Sequence, residues 1–231
     1  MKKIAITGAK GRIGTVLSEG LRGFKIEAID LPNIDVTNYN QLLHAISGCQ
    51  AIIHLAWQDM NFKNEGFETN DHVMAVNVYK AALEAGVKRV IMASSVHADN
   101  FYSKDNKTLL SPQDIPTPDS IYGASKIFME ALGRHYAKDK NLEVICIRFG
   151  GVNTENRPPQ PPFEKYSDAW YESAVWLSHK DCVNLVNKCL SAQNIPNKYS
   201  IVYAVSENKN KIHDTSNPFG WKPGDKDEEH Q

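Results

Sequence analysis

Short apolar runs alternate with longer amphipathic segments through the first 150 residues of the chain. The apolar runs are rich in β-branched residues, which predicts strands at Lys3–Thr7, Ile26–Asp30, Ala51–Leu55, Arg89–Ala93 and Glu143–Arg148. The amphipathic segments between them predict helices at Ile13–Arg22, Asn40–Ser47, Val73–Ala85 and Ile121–Lys138. Strands that alternate with helices form βαβ units with right-handed crossovers, so we expect a parallel sheet.

The pattern changes after Gly150. Four prolines within Asn153–Pro162 exclude a helix there and predict a loop. Ser178 is a suitable N-cap for a further helix, and the run Tyr199–Val205 is typical of one more strand. The polar tail Gly224–Gln231 is predicted to be frayed.

The 231 residues are enough for one domain with a substantial core and too few for two full-sized domains. No linker to an independent second unit is visible in the sequence. We therefore predict an α/β fold over residues 1–231, a Rossmann-like doubly wound parallel sheet. Residues 151–231 are expected to form a small C-terminal substrate-binding cap on the same sheet.

Composition and charge exclude several classes of protein. The chain is 42% hydrophobic and 23% charged, with a formal net charge of -1, and has no basic stripe for nucleic acid or membrane binding. The N-terminal apolar run stops at Thr7-Gly8, short of the ~7–15 residues of a signal peptide. Four cysteines without a CxxC pair predict buried free thiols in a reducing cytoplasm. No group of residues has metal-ligand spacing, so we expect no metal.

Three glycines lie between the first strand and the first helix. Gly8, Gly11 and Gly14 have the GxxGxxG spacing of a dinucleotide-binding turn, which needs a tight bend and close backbone approach to a pyrophosphate. The N-terminus of the following helix offers free N–H groups and a partial positive charge to the phosphates. We therefore assign Arg12 and Ile13, with the three glycines, to a cofactor site.

Asp30 is predicted to select the cofactor. It ends the second strand, 22 residues after Gly8, where an acidic residue can bind the adenine ribose. Lys10 and Arg12 would instead favour the 2′-phosphate of NADP. A carboxylate about 4 Å from a phosphate charge costs about 4 kcal/mol at an effective dielectric of about 20, roughly a thousandfold in affinity. We therefore predict NAD rather than NADP.

Tyr122 and Lys126 form a candidate catalytic pair, because residues at i and i+4 share one face of a helix. A tyrosine with a pKa of ~10 is a poor base at neutral pH, and a nearby lysine ammonium favours its phenolate. Ser95 follows the strand Arg89–Ala93, at the carboxyl edge where doubly wound sheets bind ligands. Its hydroxyl can hydrogen-bond the reacting oxygen.

These motifs resemble those of the extended short-chain dehydrogenase/reductases, the NAD-dependent epimerase/dehydratase family. The likeness covers nearly the first 150 residues, and it depends on Gly8, Gly11, Gly14, Asp30, Asp35-Val36, His54-Leu55-Ala56, Asn77-Val78, Ser94-Ser95, Tyr122 and Lys126. It implies an oxidoreductase with Tyr122 as general acid/base, Lys126 on the nicotinamide ribose and Ser95 polarising the substrate oxygen. It also implies cofactor contacts from Asp35 near adenine, Asn77 near the nicotinamide, Val36, Leu55 and Ala56. Relatives commonly dimerise through a helix bundle, which implies a possible homodimer.

Within that group the chain is similar to the uronate dehydrogenases, which oxidise the anomeric carbon of a hexuronate to a lactone. The shared segments are Ser94-Ser95-Val96-His97, Trp176-Leu177-Ser178-His179-Lys180-Asp181 and Gly220-Trp221-Lys222-Pro223. The resemblance implies a sugar or sugar-acid substrate, and His97 is close enough to Ser95 in the chain to line its pocket.

The substrate carboxylate of a uronate would need a cationic partner, because burying an unpaired charge is costly. The arginine that binds it in that subfamily lies shortly before the tryptophan, where this chain has Tyr171. Arg157, in the proline-rich loop, is the candidate here, since a guanidinium pairs with both carboxylate oxygens. A solvated arginine on an exposed loop is an equally good interpretation of that residue.

Two other functions remain open at this point. A nucleotide-sugar epimerase or dehydratase would share the motifs but usually needs a larger C-terminal region than the ~80 residues available here. A non-catalytic dinucleotide sensor would keep the fold and lose the chemistry, which Ser95, Tyr122 and Lys126 together argue against.

Overall fold

The computed structural model describes residues 1–58, 68–100 and 109–230. Its six strands are β1 (Lys2–Thr7), β2 (Phe24–Ile29), β3 (Ala51–His54), β4 (Arg89–Ser95), β5 (Glu143–Phe149) and β6 (Tyr199–Ala204). Its helices are α1 (Arg12–Gly20), α2 (Tyr39–Ala45), α3 (Thr69–Glu84), α4 (Ile121–Lys140), α5 (Asp168–Ala174) and α6 (His179–Ser191). Among these described helices, none combines the length and apolar character that a membrane span requires.

The six strands form one sheet in the order β2-β1-β3-β4-β5-β6, and every neighbouring pair is parallel. The strand order reverses at β1, which has β2 on one side and β3 on the other. Such a switch point opens a crevice at the carboxyl ends of the strands, where ligands of doubly wound sheets bind. The predicted Rossmann-like fold is therefore confirmed, and the crevice lies where the glycine turn follows β1.

Alternating side chains of each strand enter two separate cores. Ile4 and Ile6 of β1 pack in the layer that α1 and α6 cover, together with Leu17. Ala5 faces the opposite layer, which α2, α3 and α4 cover, together with Tyr79. Because successive side chains of a strand point to opposite faces, the nearly continuous apolar runs of the sequence indicate a sheet buried on both sides.

The region after Gly150 differs from expectation in two places. The sequence did not predict α5, a helix of seven residues whose N-cap Ser167 accepts the N–H of Trp170. The prediction of a frayed tail was wrong for its described part, Gly224–His230. Asp225 accepts the hydroxyl of Ser178 at 2.7 Å, and the N–H of Gly224 donates to Asp181 at 2.9 Å. A polar tail can be fixed when its partners are buried polar groups rather than an apolar face.

A buried polar network joins β4, β5, β6 and α4. Arg148 of β5 is fully buried and donates from Nε and Nη2 to the two carboxylate oxygens of Glu130, at 2.8 and 2.9 Å. It also donates from Nη1 to Asp99 at 3.3 Å and to the hydroxyl of Tyr203 at 2.9 Å. The hydroxyl of Ser94 donates to Glu130 at 2.6 Å. Every charge in the network therefore has a partner, as buried charges require.

We predict that Arg148→Met lowers the free energy of unfolding by about 3–5 kcal/mol, because Glu130 and Asp99 would be left buried without their cation. Urea unfolding followed by circular dichroism measures the change. Arg22→Met is the matched control, since Arg22 is exposed and its loss should change the free energy of unfolding by about 0.5 kcal/mol at most. Equal effects of the two substitutions would show that the network contributes no stability.

Candidate active site

The turn after β1 has room only for glycine at its closest approaches. Gly8 has φ +68°, and a Cβ there would lie 2.7 Å from the backbone nitrogen of Ala56, in the loop after β3. A Cβ on Gly14 would collide with the carbonyl oxygen of Gly8. The turn therefore lies directly against the loop after β3, and the start of α1 lies directly against the turn, the close packing that the GxxGxxG spacing predicts.

The first turn of α1 offers unused donors to a ligand. Its N-cap is Gly11, which has no side chain to accept a hydrogen bond, and the turn has no acidic residue. Within the part of the chain that the structure describes, no acceptor binds the N–H groups of Arg12, Ile13 and Gly14. Free N–H groups at a helix N-terminus beside a glycine turn suit a pyrophosphate, so these residues fit a bound dinucleotide.

Asp30 lies directly after β2, beside the glycine turn. Its Oδ2 accepts the backbone N–H of Lys10 at 2.7 Å, which fixes the carboxylate and leaves Oδ1 for a ribose hydroxyl. The Lys10 ammonium donates to the carbonyl oxygen of Leu31 at 3.0 Å. The carboxylate of Asp30 is thus held at the cofactor turn. The ammonium of Lys10, which could otherwise bind a 2′-phosphate, is already hydrogen-bonded.

Asn77 has a contact that the sequence did not predict. Its Nδ2 donates to the carbonyl oxygens of Val36 at 3.0 Å and Thr37 at 2.9 Å, so α3 holds the segment after β2. Asp35 accepts both the N–H and the hydroxyl of Thr37, at 2.8 and 2.7 Å. These bonds shape the wall expected beside adenine, and the roles of Asp35, Val36 and Asn77 toward the cofactor stay predictions.

The loop Leu55–Ala56 is fixed by a buried pair of side chains. Thr7 Oγ1 accepts the N–H groups of Leu55 and Ala56, each at 3.3 Å, and hydrogen-bonds His54 Nδ1 at 2.7 Å. Burial lowers the pKa of His54 to about 3, and the charge of Lys126 acts in the same direction. His54 is therefore neutral, and its bond to Thr7 serves the structure of this loop.

The three predicted catalytic side chains come together at the carboxyl edge of the sheet. Ser95 is the last residue of β4, and Ser120 caps α4 by accepting the N–H of Gly123 at 3.1 Å. This start of α4 places Tyr122 so that its hydroxyl and that of Ser95 hydrogen-bond each other. Burial raises the pKa of Tyr122 to about 12, and the hydrogen bond with Ser95 partly opposes that rise.

Lys126 lies one helical turn after Tyr122, with its ammonium almost completely buried. Its Nζ donates to the carbonyl oxygen of Ala93 at 3.2 Å and lies 5.2 Å from the centroid of the Tyr122 ring. The indole ring of Trp57 covers it, with 3.7 Å between Nζ and the ring centroid. Burial lowers the pKa of Lys126 to about 7, although the negative charge of Asp71 opposes this.

His97 adjoins the same group. Its ring lies edge-on to Tyr122 with centroids 5.7 Å apart, and its Nδ1 is 2.8 Å from Oδ2 of Asp119. The backbone N–H of His97 donates to Ser95 Oγ at 3.2 Å. The sequence singled out His97 but neither Asp119 nor Asp71, since isolated carboxylates in loops and first helical turns are common and carry no spacing signal.

Arg157 is exposed, and no described residue pairs with its guanidinium. Only its backbone is held: its N–H donates to Oδ1 of Asn153 at 3.1 Å, and its carbonyl oxygen accepts Nδ2 of Asn153 at 2.5 Å. Tyr171, which stands where the uronate dehydrogenases have their carboxylate-binding arginine, is buried between the rings of Tyr166 and Trp170. The structure thus shows Arg157 as a side chain available to a ligand, without a contact to Ser95.

The chain is similar to one family of enzymes along most of its length. The model of the NAD dependent epimerase/dehydratase family matches residues 4–168. The L-arabinose 1-dehydrogenase (NAD(P)(+)) of Haloferax volcanii is 31% identical, over 97% of this chain and 97% of its own. The uronate dehydrogenase of Agrobacterium fabrum is 29% identical, over 97% of this chain and 85% of its own.

A solved structure gives the same picture of the fold. The crystal structure of a uronate dehydrogenase variant from Agrobacterium tumefaciens, complexed with NAD, aligns with a TM-score of 0.81 at 25% identity. The alignment covers 99% of this chain and 87% of that one. The predicted resemblance, both to the family and to the uronate dehydrogenases, is confirmed.

We predict that wild-type protein binds NAD about a thousandfold more tightly than NADP, and that Asp30→Asn reduces this ratio to about tenfold or less. The asparagine keeps an oxygen for the N–H of Lys10 and removes the charge that repels a 2′-phosphate. Isothermal titration calorimetry with both cofactors measures the ratio. Glu19→Gln, an exposed change on α1, is the control and should leave the ratio unaltered. Tighter binding of NADP by the wild type would contradict the assignment of Asp30.

Proposed function

The chain belongs to the NAD dependent epimerase/dehydratase family, and from that premise we propose that it oxidises a hydroxyl group of a sugar or sugar acid with NAD. The observation that supports this most directly is the hydrogen-bonded pair Ser95 and Tyr122 beside the buried ammonium of Lys126. The group lies at the sheet edge that also holds the glycine turn. An epimerase or a sensor would not explain why relatives that share nearly the whole chain are sugar and uronate dehydrogenases.

The roles of the side chains follow from their chemistry. Bound NAD supplies the acceptor for the hydride that leaves the substrate carbon. The hydroxyl of Ser95 hydrogen-bonds the substrate oxygen, and Tyr122 takes the proton from it. Burial raises the pKa of Tyr122 to about 12, so without cofactor its hydroxyl is mostly protonated at pH 7. Tyr122 accepts the substrate proton as its phenolate and becomes a neutral phenol, and a positive charge on Lys126 favours the phenolate form.

The cofactor contacts are proposed from the same geometry. The N–H groups of Arg12, Ile13 and Gly14 bind the pyrophosphate, and Oδ1 of Asp30 binds the adenine ribose. Lys126 binds the nicotinamide ribose. The backbone of Leu55–Ala56 lies against Gly8 and therefore borders the same crevice.

The substrate is proposed at two levels. A sugar or sugar acid follows from the named activities of the relatives. For a uronate, His97 would bind hydroxyl groups beside Ser95 and Arg157 would pair with the carboxylate. A neutral aldose is the second candidate, because Arg157 is exposed and because an L-arabinose 1-dehydrogenase is 31% identical over 97% of this chain.

Two further properties stay proposals. We place the protein in the cytoplasm, because all four cysteines are free and buried. We also propose a homodimer in which α3 and α4 pack on their counterparts. Val73 on α3 and Ile121 and Phe128 on α4 are large apolar side chains between 39% and 40% exposed, and they provide the surface for it.

We predict that Tyr122→Phe lowers kcat by about 10²–10⁴-fold while the affinity for NAD stays within about threefold, because only the proton acceptor is removed. Initial rates of NADH formation and a fluorescence titration with NAD measure the two quantities. Tyr136→Phe removes a hydroxyl from the same helix, outside the site, and should keep wild-type rates. Near-normal turnover in Tyr122→Phe would exclude this residue from the chemistry and favour a cofactor-binding role without catalysis.

We predict that glucuronate and galacturonate are oxidised with at least tenfold higher kcat/KM than glucose and galactose, and that Arg157→Ala abolishes this preference. The expected loss reflects a charge-assisted bidentate pair of about 1.5–3 kcal/mol. Lys165→Ala is the control, since Lys165 lies over the ring of Tyr166 at 4.8 Å. Equal rates on neutral and charged sugars would show that the pocket does not recognise a carboxylate, and would favour the aldose.

A further inference from the structure

Asp71 is a buried carboxylate in the first turn of α3 that the proposed reaction does not use. It is 0% exposed, and its Oδ1 accepts the backbone N–H of Gln58 at 2.8 Å. Its Oδ2 is also buried, and no described residue forms a hydrogen bond with it. Burying a carboxylate with an unsatisfied oxygen costs free energy of folding. A nearby charge can compensate that cost, and a group that the carboxylate positions can account for its presence.

The bond from Gln58 to Asp71 fixes the loop that covers Lys126. Trp57 directly precedes Gln58, and its ring centroid lies 3.7 Å from Nζ of Lys126. The same indole lies edge-on to the ring of Tyr122, with centroids 5.3 Å apart. A single carboxylate oxygen on α3 thus anchors the aromatic cover over the catalytic pair.

Among the described residues around the Lys126 ammonium, Asp71 is the source of negative charge. From β4 it meets the carbonyl oxygen of Ala93, which is neutral, and from α4 the ring of Tyr122. His54 of β3 is uncharged, because burial keeps its pKa near 3. From α3 the charge of Asp71 raises the pKa of Lys126.

Asp71 is in turn influenced by groups on its own helix and on neighbouring segments. Burial raises its pKa, the N–H of Gln58 and the charges of Lys126 and His72 lower it, and the charge of Glu68 raises it. Asp71 and Lys126 form no direct ion pair, so their charges interact at a longer distance than that of a salt bridge.

We propose that Asp71 is a positioning residue of this active site, which holds Trp57 over Lys126 and stabilises the ammonium form of Lys126. The consequence for catalysis rests on the proposed function, because a charged Lys126 matters there for the phenolate of Tyr122. The interaction itself is a property of the protein without cofactor or substrate, and can be measured in that form.

The charge is tested by NMR on cofactor-free protein labelled with [ε-¹³C]lysine, with the Lys126 signal assigned by its loss in Lys126→Met. In the wild type the signal should titrate with a midpoint near 7. In Asp71→Asn, which keeps an oxygen for Gln58 and loses the charge, the midpoint should fall by about one pH unit or more. In Asn70→Ala, which removes only the exposed hydrogen bond from Asn70 Nδ2 to Gln58 Oε1, it should not move.

The anchor is tested in Asp71→Ala, which removes the acceptor as well as the charge. The ¹⁵N–¹H signal of the Trp57 indole should shift in Asp71→Ala and stay near its wild-type position in Asp71→Asn. Either Asp71 variant that folds suffices for the lysine titration, because both remove the charge. A Lys126 midpoint that is unchanged or higher overturns the electrostatic role, and an unmoved indole signal in Asp71→Ala overturns the anchor. Absence of sugar oxidation would instead contradict the proposed function and leave both results interpretable.

Discussion

The pair of Glu130 and Arg148 fixes α4 against β5. Tyr122, Lys126 and Glu130 are spaced four residues apart on α4, so their side chains follow one stripe of the helix. The two bonds from Arg148 fix the Glu130 end of that stripe against β5. Because a bidentate pair defines orientation as well as distance, Tyr122, at the other end of the stripe, has little freedom relative to the sheet.

The same pair also aligns the end of β4 with the helix. Ser94 donates to Glu130, and the next residue, Ser95, ends the strand beside Tyr122. One serine thus contributes to packing, and its neighbour lies in the proposed site. Stability and the geometry of the proposed site therefore depend on one strand end.

The two buried cations of the site differ in how completely they are paired. Arg148 donates to two carboxylates and a phenol, and its charge is permanently neutralised by neighbours. Lys126 donates to a single carbonyl oxygen and is covered by an indole ring, and its pKa falls to about 7. Incomplete pairing leaves Lys126 with unused N–H donors, which a cofactor ribose can engage. The fully paired Arg148 therefore stabilises the fold, and the partly paired Lys126 is suited to binding a ligand.

The sequence was sufficient for features with local spacing and insufficient for contacts between distant segments. The glycine turn, Asp30 and the pair Tyr122 and Lys126 have fixed intervals that follow from a strand, a turn or one helical turn, and the structure brings them to one edge of the sheet. The bonds of Arg148 to Glu130 and Asp99 join residues 18 and 49 positions apart, and no periodicity encodes them. The ordered tail was missed for the same reason, because Asp225 bonds to Ser178 across 47 residues.

The surroundings of Ser95 limit how a substrate charge can be recognised. Val96, next to Ser95, packs in an apolar cluster with Tyr171, Val175 and Tyr203. These side chains are buried, and their cluster holds no cation to pair with a carboxylate. Tyr203 is already engaged with Arg148 and Asp99, so that guanidinium is not available to a ligand. In the proposed function, a substrate carboxylate is paired from outside this cluster, by Arg157 on the proline-rich loop. Under that proposal the identity of the substrate depends on the loop, whereas the proposed chemistry at Ser95, Tyr122 and Lys126 depends on the sheet and α4.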